Sequence, residues 1–404
     1  MLRIATSTLF SDGALNIDTN QSAMLATQLQ LSTGKQINAP SDNPGGAAEV
    51  ASLEDQVGQL AQFASNQSQA TSVLNQGQGT LQQFNNALQT ARESLVAAGN
   101  GSYTDSERAD LASSLQGVLG QLMTLANTSD GSGGYLFAGS KQSATPFTQT
   151  GTTFSYQGDS LAPSLEVATN RSLQTKYTGD SVFMKIPQGN GSFVTAAAAT
   201  NTGSGVVGVG SVTNAGSLTG DNYTISIAAA GSGLSYTVKN TTTNTQVSTG
   251  TYSDPTTLAF DGMSIDLSGA PQAGDTFTVA PAGNQSIFAT IQQAITALQT
   301  PASGGTGAAA AQFTTTRLSA MASLDQAMNH ISVVQASMGS QIDSLNAYKS
   351  VNSEQSTDVQ TRLSDVQDLD YAKAASSLSQ QQLSYQAALQ SYSMVSKLSL
   401  FNYM

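Results

Sequence analysis

The residues able to do chemistry are few, and their spacing argues against catalysis. The 404-residue chain holds one histidine, His330, no cysteine, and 26 acidic against 14 basic side chains. Without cysteine there is no disulfide framework, thiolate zinc site, iron–sulfur cluster or cysteine nucleophile. A single histidine leaves carboxylate-only hydrolysis as nearly the sole conventional acid–base chemistry. Asp365, Asp368 and Asp370 suggest a cation site, but no fourth oxygen ligand with loop spacing and no central glycine follows. The favoured reading is that Asp368 or Asp370 caps a terminal helix, where a carboxylate meets free N–H groups and the positive end of the dipole. Gly203, Gly205 and Gly208 spell a dinucleotide fingerprint, yet no buried strand leads into them and no helix opens after them. That leaves a flexible linker. His330 adjoins Ile331 on an apolar stripe and reads as a helix-surface or boundary residue. No nucleophile constellation, acid–base pair or metal cluster survives, so the expectation is a protein without catalytic activity, cofactor or metal.

The elements that would position these residues follow from periodicity. Leu53, Leu60, Leu74, Leu81, Leu88 and Leu95 recur at sevens, interrupted by Gln67, with Phe63, Ala70, Gly77, Phe84, Ala91 and Ala98 three positions further on. This predicts one long helix packed on partner helices along a seam. After a break at Gly99 to Gly101, Leu111, Leu115, Val118, Leu122 and Leu125 predict a second helix. Near the other end, Ile287, Ile291, Ile295 and Leu298 mark a short helix. Met321, Leu324, Met328, Ile331, Met338, Ile342 and Leu345 mark a long one, resumed by Val359, Leu363 and Val366 after a polar gap. The methionines read as core filler.

Between these halves the period changes to two. Tyr223, Ile225 and Ile227, then Leu234, Tyr236 and Val238, then Ile265 and Leu267, then Phe277 and Val279 alternate between turn residues. The expected fold is therefore mainly α with an inserted all-β domain. A long antiparallel helical bundle or coiled coil is built from both chain ends, and the insertion is β-sandwich-like, with two lobes meeting near the low-complexity stretch Ala196 to Gly210.

Charge divides in the same way. Residues 1–40 set Arg3 and Lys35 against Asp12 and Asp18, and residues 361–404 set Arg362, Lys373 and Lys397 against Asp365, Asp368 and Asp370. Both ends are net neutral, so the whole excess of −12 belongs to residues 41–360. With no Lys/Arg cluster, nucleic acid is not an expected partner. No run of about 18 apolar residues predicts a membrane span, and Met1 to Thr6 begin no cleaved secretory signal. Tyr371, Ala374, Leu378, Tyr385, Ala388, Tyr392 and Val395 form a three-four stripe near the C-terminus. Such polar ends are expected to be poorly ordered alone and to become helices when partner chains supply contacts.

The segment Leu31 to Ala48 reads as a helix stop at Gly34, an extended crossing through Pro40, and a capped restart. Ser41 or Asp42 is expected at the cap, with Pro44 in the first turn. This hinge resembles the N-terminal hinge of bacterial flagellins and hook-associated proteins. Three further segments resemble the hook–filament junction family, hook-associated protein 3, within the flagellin superfamily: Gly134 to Ser140 with its Tyr-Leu-Phe-Ala-Gly core, Asp368 to Tyr385, and the ending Leu398 to Met404.

The resemblance implies a structural component of the bacterial flagellum that self-assembles as a ring joining hook to filament. A filament-forming flagellin is the nearer alternative, and a secreted hydrolase or adhesin carried on the insertion the more distant one. Implied partners are copies of the chain itself, hook-associated protein 1, flagellin, and a cytoplasmic export chaperone on the C-terminal segment. Implied location is extracellular, in the flagellum, reached through the flagellar type III apparatus without a cleaved signal. Residues 1–40 with 361–404 would form an inner helical domain, disordered in the monomer. Residues 41–144 with 284–360 would form the bundle core, and 145–283 the inserted β domain. Gly34, Pro40, Asp42 and Pro44 would be the hinge, and the stripe from Tyr371 to Val395 the assembly contacts.

Overall fold

A computed structural model of the chain describes residues 6–131, 133–141, 143–302 and 307–397. Among the described residues six α-helices carry it: α1 Thr6–Thr33, α2 Pro44–Ala97, α3 Asp105–Ala126, α4 Ile287–Gln299, α5 Ala308–Gln367 and α6 Tyr371–Lys397. The chain divides into two compact units. One comprises Met1–Asn66 with Ala347–Met404, the other Gln67–Asn346.

In the larger unit the heptad seam is closed. Leu74, Leu81, Leu88 and Leu95 are at most 1% exposed, and Phe84, Ala91 and Ala98 are buried beside them. Residues spaced three and four apart lie on one helix face, so the repeat delivers one apolar stripe. Helix α3 packs on α4. Its start is fixed by a capping box: Thr104 Oγ1 accepts from the Glu107 amide at 3.3 Å, and the Glu107 carboxylate accepts from the Thr104 amide at 2.7 Å. The Thr104 amide and hydroxyl, both donating to it, hold the Glu107 carboxyl below the usual glutamate range. Ser286 does the same work for α4, its hydroxyl accepting from the Ala289 amide at 3.0 Å.

Gln67, the break in the leucine repeat, is fully buried, and its Nε2 donates to the Val167 carbonyl at 2.7 Å. Val167 lies in the strand Ser164–Ala168, where the register slips between Glu166 and Ala168 and leaves it outside the ladder. A bulged residue needs another partner for its polar groups, and the amide supplies one.

The β region runs β1 Phe147–Thr150, β2 Thr153–Tyr156, β3 Ser164–Ala168, β4 Arg171–Gln174, β5 Ile186–Pro187, β6 Phe193–Ala197, β7 Val206–Val207, β8 Ser211–Val212, β9 Tyr223–Ala230, β10 Gly233–Asn240, β11 Thr245–Tyr252, β12 Thr256–Phe260, β13 Met263–Ser268, β14 Thr276–Pro281 and β15 Asn284–Gln285. β1–β2 and β3–β4 are antiparallel hairpins, and β5 pairs with β15. A five-stranded sheet ordered β11-β10-β9-β14-β6 faces a four-stranded one, β12-β13-β7, to which β8 adds. Between them Ile225, Ile227, Val238, Leu258, Ile265, Leu267, Phe277 and Val279 make the sandwich core. The alternating sequence pattern and the two inner faces correspond because side chains on a strand point to opposite faces in turn.

The glycine-rich stretch expected to be a flexible linker is instead packed. It passes from β6 in one sheet to β7 in the other. The Asp275 carboxylate, 2% exposed, accepts from the Thr202, Gly203 and Gln272 amides at 2.8, 3.0 and 2.8 Å. A carboxylate that replaces its lost water with three amides anchors the loop. A Cβ at Gly203 would run into the Gln272 amide, which explains the glycine without any phosphate.

An aromatic cluster closes the rest of this unit. A single π-helical turn, Asp180–Met184, carries Phe183, whose ring lies 4.7 Å from Phe84, 4.9 Å from Phe137, 5.6 Å from Phe147 and 6.1 Å from Phe288. Offset and edge-to-face ring pairs at these separations add to the burial of large apolar surfaces. Phe137 belongs to the Tyr-Leu-Phe-Ala-Gly string, which is tied in through its backbone. The Phe137 carbonyl accepts from the Gly179 amide and the Tyr156 hydroxyl, both at 2.8 Å. Burial there pushes the Tyr156 phenol up to about 12. Gly139 takes φ +68° against Asp159, where a side chain would collide. Behind the string, the buried pair Lys176 and Asp130 binds the loop that follows α3. His330 is half-buried, its Nε2 donating to the Ser181 carbonyl at 2.8 Å, a boundary residue as expected.

Candidate assembly interface

The smaller unit contains the hinge and the terminal stripe. Helix α1 ends with Gly34 in the left-handed region at φ +71°, its amide donating to the Gln30 carbonyl at 2.8 Å. Pro40 sits at the second position of a turn closed by the Asp42 amide and the Ala39 carbonyl at 3.0 Å, where its fixed φ fits. Pro44 opens α2. The cap differs from the sequence reading: Asn43, not Ser41 or Asp42, accepts from the Gly46 amide at 3.0 Å. Asp42 instead folds its carboxylate back onto the Asn38 and Ala39 amides at 3.1 and 2.9 Å. The physical reason is that the turn directs Asp42 toward the crossing segment, while Asn43 stands directly before the first helical residue. At the other end Asp370 caps α6, accepting from the Ala372 and Lys373 amides, each at 3.0 Å. Asp368 accepts from the Ser364 hydroxyl.

Helices α1 and α6 pack together. Their pairing is antiparallel: Phe10 meets Tyr392 edge-on with ring centroids 6.0 Å apart, and Tyr371 lies over Gly34. The stripe predicted from the sequence runs along this seam. Ala374 is buried, Leu378, Tyr385 and Ala388 are half-buried, and Tyr392 covers Gly13. Tyr371 remains 57% exposed, and the side chain of Val395 lies outside the described residues.

A second set of apolar residues, absent from the predicted stripe, points to solvent. On α1 these are Leu15, Leu25 and Leu29, more than half exposed, and on α6 Leu383 and Met394, 69% and 62% exposed. Leu25 and Leu29 are four apart, and Leu383 and Met394 eleven apart, so each pair shares one helix face. Uncharged, exposed leucines on long paired helices form a surface suited to burial against further helices. Their spacing was present in the sequence, but polar neighbours diluted it below the terminal tyrosine stripe. Further along the unit, the polar gap of α5 holds Asn352, 7% exposed, whose Nδ2 donates to the Leu60 carbonyl at 3.0 Å.

Comparison with known proteins places this arrangement. Residues 4–142 match the bacterial flagellin N-terminal helical region, 321–404 the flagellin C-terminal helical region, and 196–281 the D2-like domain of flagellar hook-associated protein 1. Flagellar hook-associated protein 3 of Salmonella typhimurium is 37% identical over 185 residues, which is 46% of this chain and 58% of that protein. A crystal structure of flagellar hook-associated protein 3 from Legionella pneumophila is 32% identical, with a TM-score of 0.75, covering 78% of this chain and 98% of that one. The chain belongs to the flagellar hook-associated protein 3 family. A crystal structure of the flagellar junction protein FlgL, also from Legionella pneumophila, is 31% identical with a TM-score of 0.71, covering 79% of this chain and 99% of that one. Membership of the hook-associated protein 3 family accounts for the shared helical ends and central antiparallel domain. No described helix is long and apolar enough to cross a membrane.

Proposed function

We propose that this chain is a structural component of the bacterial flagellum that joins hook to filament. The observation that carries the reading is a match over nearly the whole length of a junction protein, in a chain whose terminal helix pair leaves an apolar face uncovered. The partners are further copies of the chain in a ring, hook-associated protein 1 on the hook side and flagellin on the filament side. A cytoplasmic export chaperone holds the C-terminal segment until export through the flagellar type III apparatus. The chain performs no catalytic step.

In this reading residues 1–40 and 361–404 are the contact layer, ordered by assembly, with Gly34, Pro40, Asp42 and Pro44 as its hinge. Residues 41–144 with 284–360 are the helical core, and 145–283 the inserted β domain. The stripe from Tyr371 to Val395 pairs the two terminal helices and thereby presents Leu15, Leu25, Leu29, Leu383 and Met394 to neighbouring copies. Close packing of helices from many subunits favours net-neutral ends, because like charges brought within a few ångströms repel. A filament-forming flagellin shares such ends but is less supported, since the junction likeness extends through the central domain as well.

The test is complementation. In a strain lacking its junction protein the full chain should restore retained filaments, and the chain lacking residues 371–404 should not. Filaments retained by the truncated chain would sink the reading.

A further inference from the structure

Within the larger unit one reactive tetrapeptide occurs twice. Gly-Asn-Gly-Ser stands at residues 99–102, in the turn between α2 and α3, and again at 189–192, ahead of β6. Where glycine follows asparagine, the glycine nitrogen reaches the side-chain amide carbon easily, because no side chain stands in the way. Both asparagines have a polarised amide carbonyl. Asn100 Oδ1 accepts from the Ser102 amide at 3.1 Å and the Ser102 hydroxyl at 2.9 Å, and Asn190 Oδ1 from the Ser192 and Phe193 amides at 3.0 and 2.9 Å. Such donors stabilise the charge that an attack places on the oxygen. The surroundings differ. The Gly191 amide donates to the Gln188 carbonyl at 3.0 Å, Asn190 Nδ2 to the Gly210 carbonyl at 3.2 Å, and Gln326 Nε2 to the Asn190 carbonyl at 3.0 Å. The Gln326 amide also fills the space beside Gly191. Asn100 and Gly101, by contrast, are exposed, and a Cβ at Gly101 would meet open space. The Gly101 amide and Asn100 Nδ2 have no hydrogen-bond partner among the described residues.

We propose that Asn100 is a spontaneous deamidation site, selected by the fold over the identical sequence at Asn190. Hydroxide takes the proton of the Gly101 amide, and the freed nitrogen attacks Cγ of Asn100 while Ser102 holds the oxygen. The Cγ–Nδ2 bond breaks, Nδ2 takes a proton from water and leaves as ammonia, and a five-membered succinimide closes. Water then opens the ring. Opening at Cγ gives aspartate, and opening at the main-chain carbonyl gives isoaspartate, in which the chain runs through Cγ. One water enters, one ammonia leaves, and the hydroxide is regenerated. Either product adds a negative charge to the turn. Isoaspartate also adds a carbon to the backbone and turns the Asn100 main-chain carbonyl into a carboxylate. That carbonyl accepts from the Tyr103 amide at 3.1 Å, and the Tyr103 carbonyl accepts from the Arg108 guanidinium at 2.9 Å, so the change reaches the capped start of α3. The turn thus records the age of the chain, and does so independently of the assembly reading.

The test ages the folded full-length chain in mildly alkaline buffer and quantifies both peptides in one digest by mass spectrometry, with aspartate and isoaspartate separated by chromatography. Asn100 should convert at least about tenfold faster than Asn190, whose hydrogen bonds must break first. Both products should appear at Asn100, and the rate should rise with pH. In urea, where the two tetrapeptides lose their different surroundings, the rates should agree within about twofold. Equal rates in the folded chain, a faster Asn190, or a preference for Asn100 that urea leaves undiminished would overturn the proposal, as would aspartate formed without isoaspartate. Hydrogen exchange over the first turn of α3 should rise with the isoaspartate fraction. It should stay level in an Asn100→Gln chain aged alongside, where the added methylene prevents closure of the five-membered ring. No rise in the aged parent would overturn the effect on α3.

Discussion

In the larger unit Leu74, Leu81, Leu88 and Leu95 are at most 1% exposed, whereas on α1 Leu15, Leu25 and Leu29 are 61, 54 and 52% exposed. Both sets lie on long helices, and both recur at helical spacing. The difference lies in what surrounds them. The larger unit has an aromatic cluster, two hairpins and α3 and α4 to finish its stripe within one chain. Among the described residues the terminal helices pack chiefly on each other, and two helices in contact cover one face apiece. A seam closed by the chain's own residues makes a folding core, while a seam closed on one side leaves surface whose burial must come from elsewhere.

The largest effect that bears on this contrast should come from Phe183→Ala. Removing the ring at the centre of the cluster should cost about 3–5 kcal/mol and lower the melting temperature of the larger unit. If a solvent-facing leucine of α1 cost as much, the two surfaces would be equivalent and the contrast would fail. Gln67→Leu should come next. A purely heptad view expects a gain, but the Val167 carbonyl would lose its donor, so a loss of about 1–2 kcal/mol in denaturant unfolding is expected. A measured gain would show that the leucine repeat alone governs the seam.

Thr104→Ala should cost about 1 kcal/mol through the lost cap of α3. This contribution depends on pH. Because the folded state depresses the Glu107 carboxyl, its stabilisation is present above the ordinary glutamate range and disappears as pH falls through the lowered value. Glu107→Gln should flatten that part of a melting-temperature profile, and an unchanged profile would remove Glu107 from the account. Smallest in stability is the pair Leu29→Ser and Leu383→Ser, each within about 0.5 kcal/mol as expected for exposed positions. The same changes should abolish retained filaments in complementation. Stability loss without an assembly defect would reverse the assignment of that face.

Much of the architecture was legible because periodicity is local. The leucines at sevens, the alternation from Tyr223 onward and the stop at Gly34 each depend on residues within one or two turns of one another. The site was legible less completely. The stripe from Tyr371 to Tyr392 was visible, but a stripe says only that a helix has an apolar side, not which chain covers it. The structure puts it along α1 and leaves a different set, Leu383 and Met394 with the α1 leucines, in solvent. The cap of α2 was one residue off because Ser41, Asp42 and Asn43 all have capping oxygens, and only the turn geometry chooses among them.

The sequence by itself determined that this chain has helical ends, a β centre and neutral termini, since composition and period need no partner to be read. Tertiary structure alone decided why Gln67 interrupts the leucines, why Asn352 fills the polar gap, and why Gly203 is packed instead of loose. In each case the answer is a backbone group or carboxylate brought from far along the chain: Val167, Leu60 and Asp275. A buried polar group must find its hydrogen bond wherever the fold supplies one, and that partner's distance along the sequence leaves no local trace.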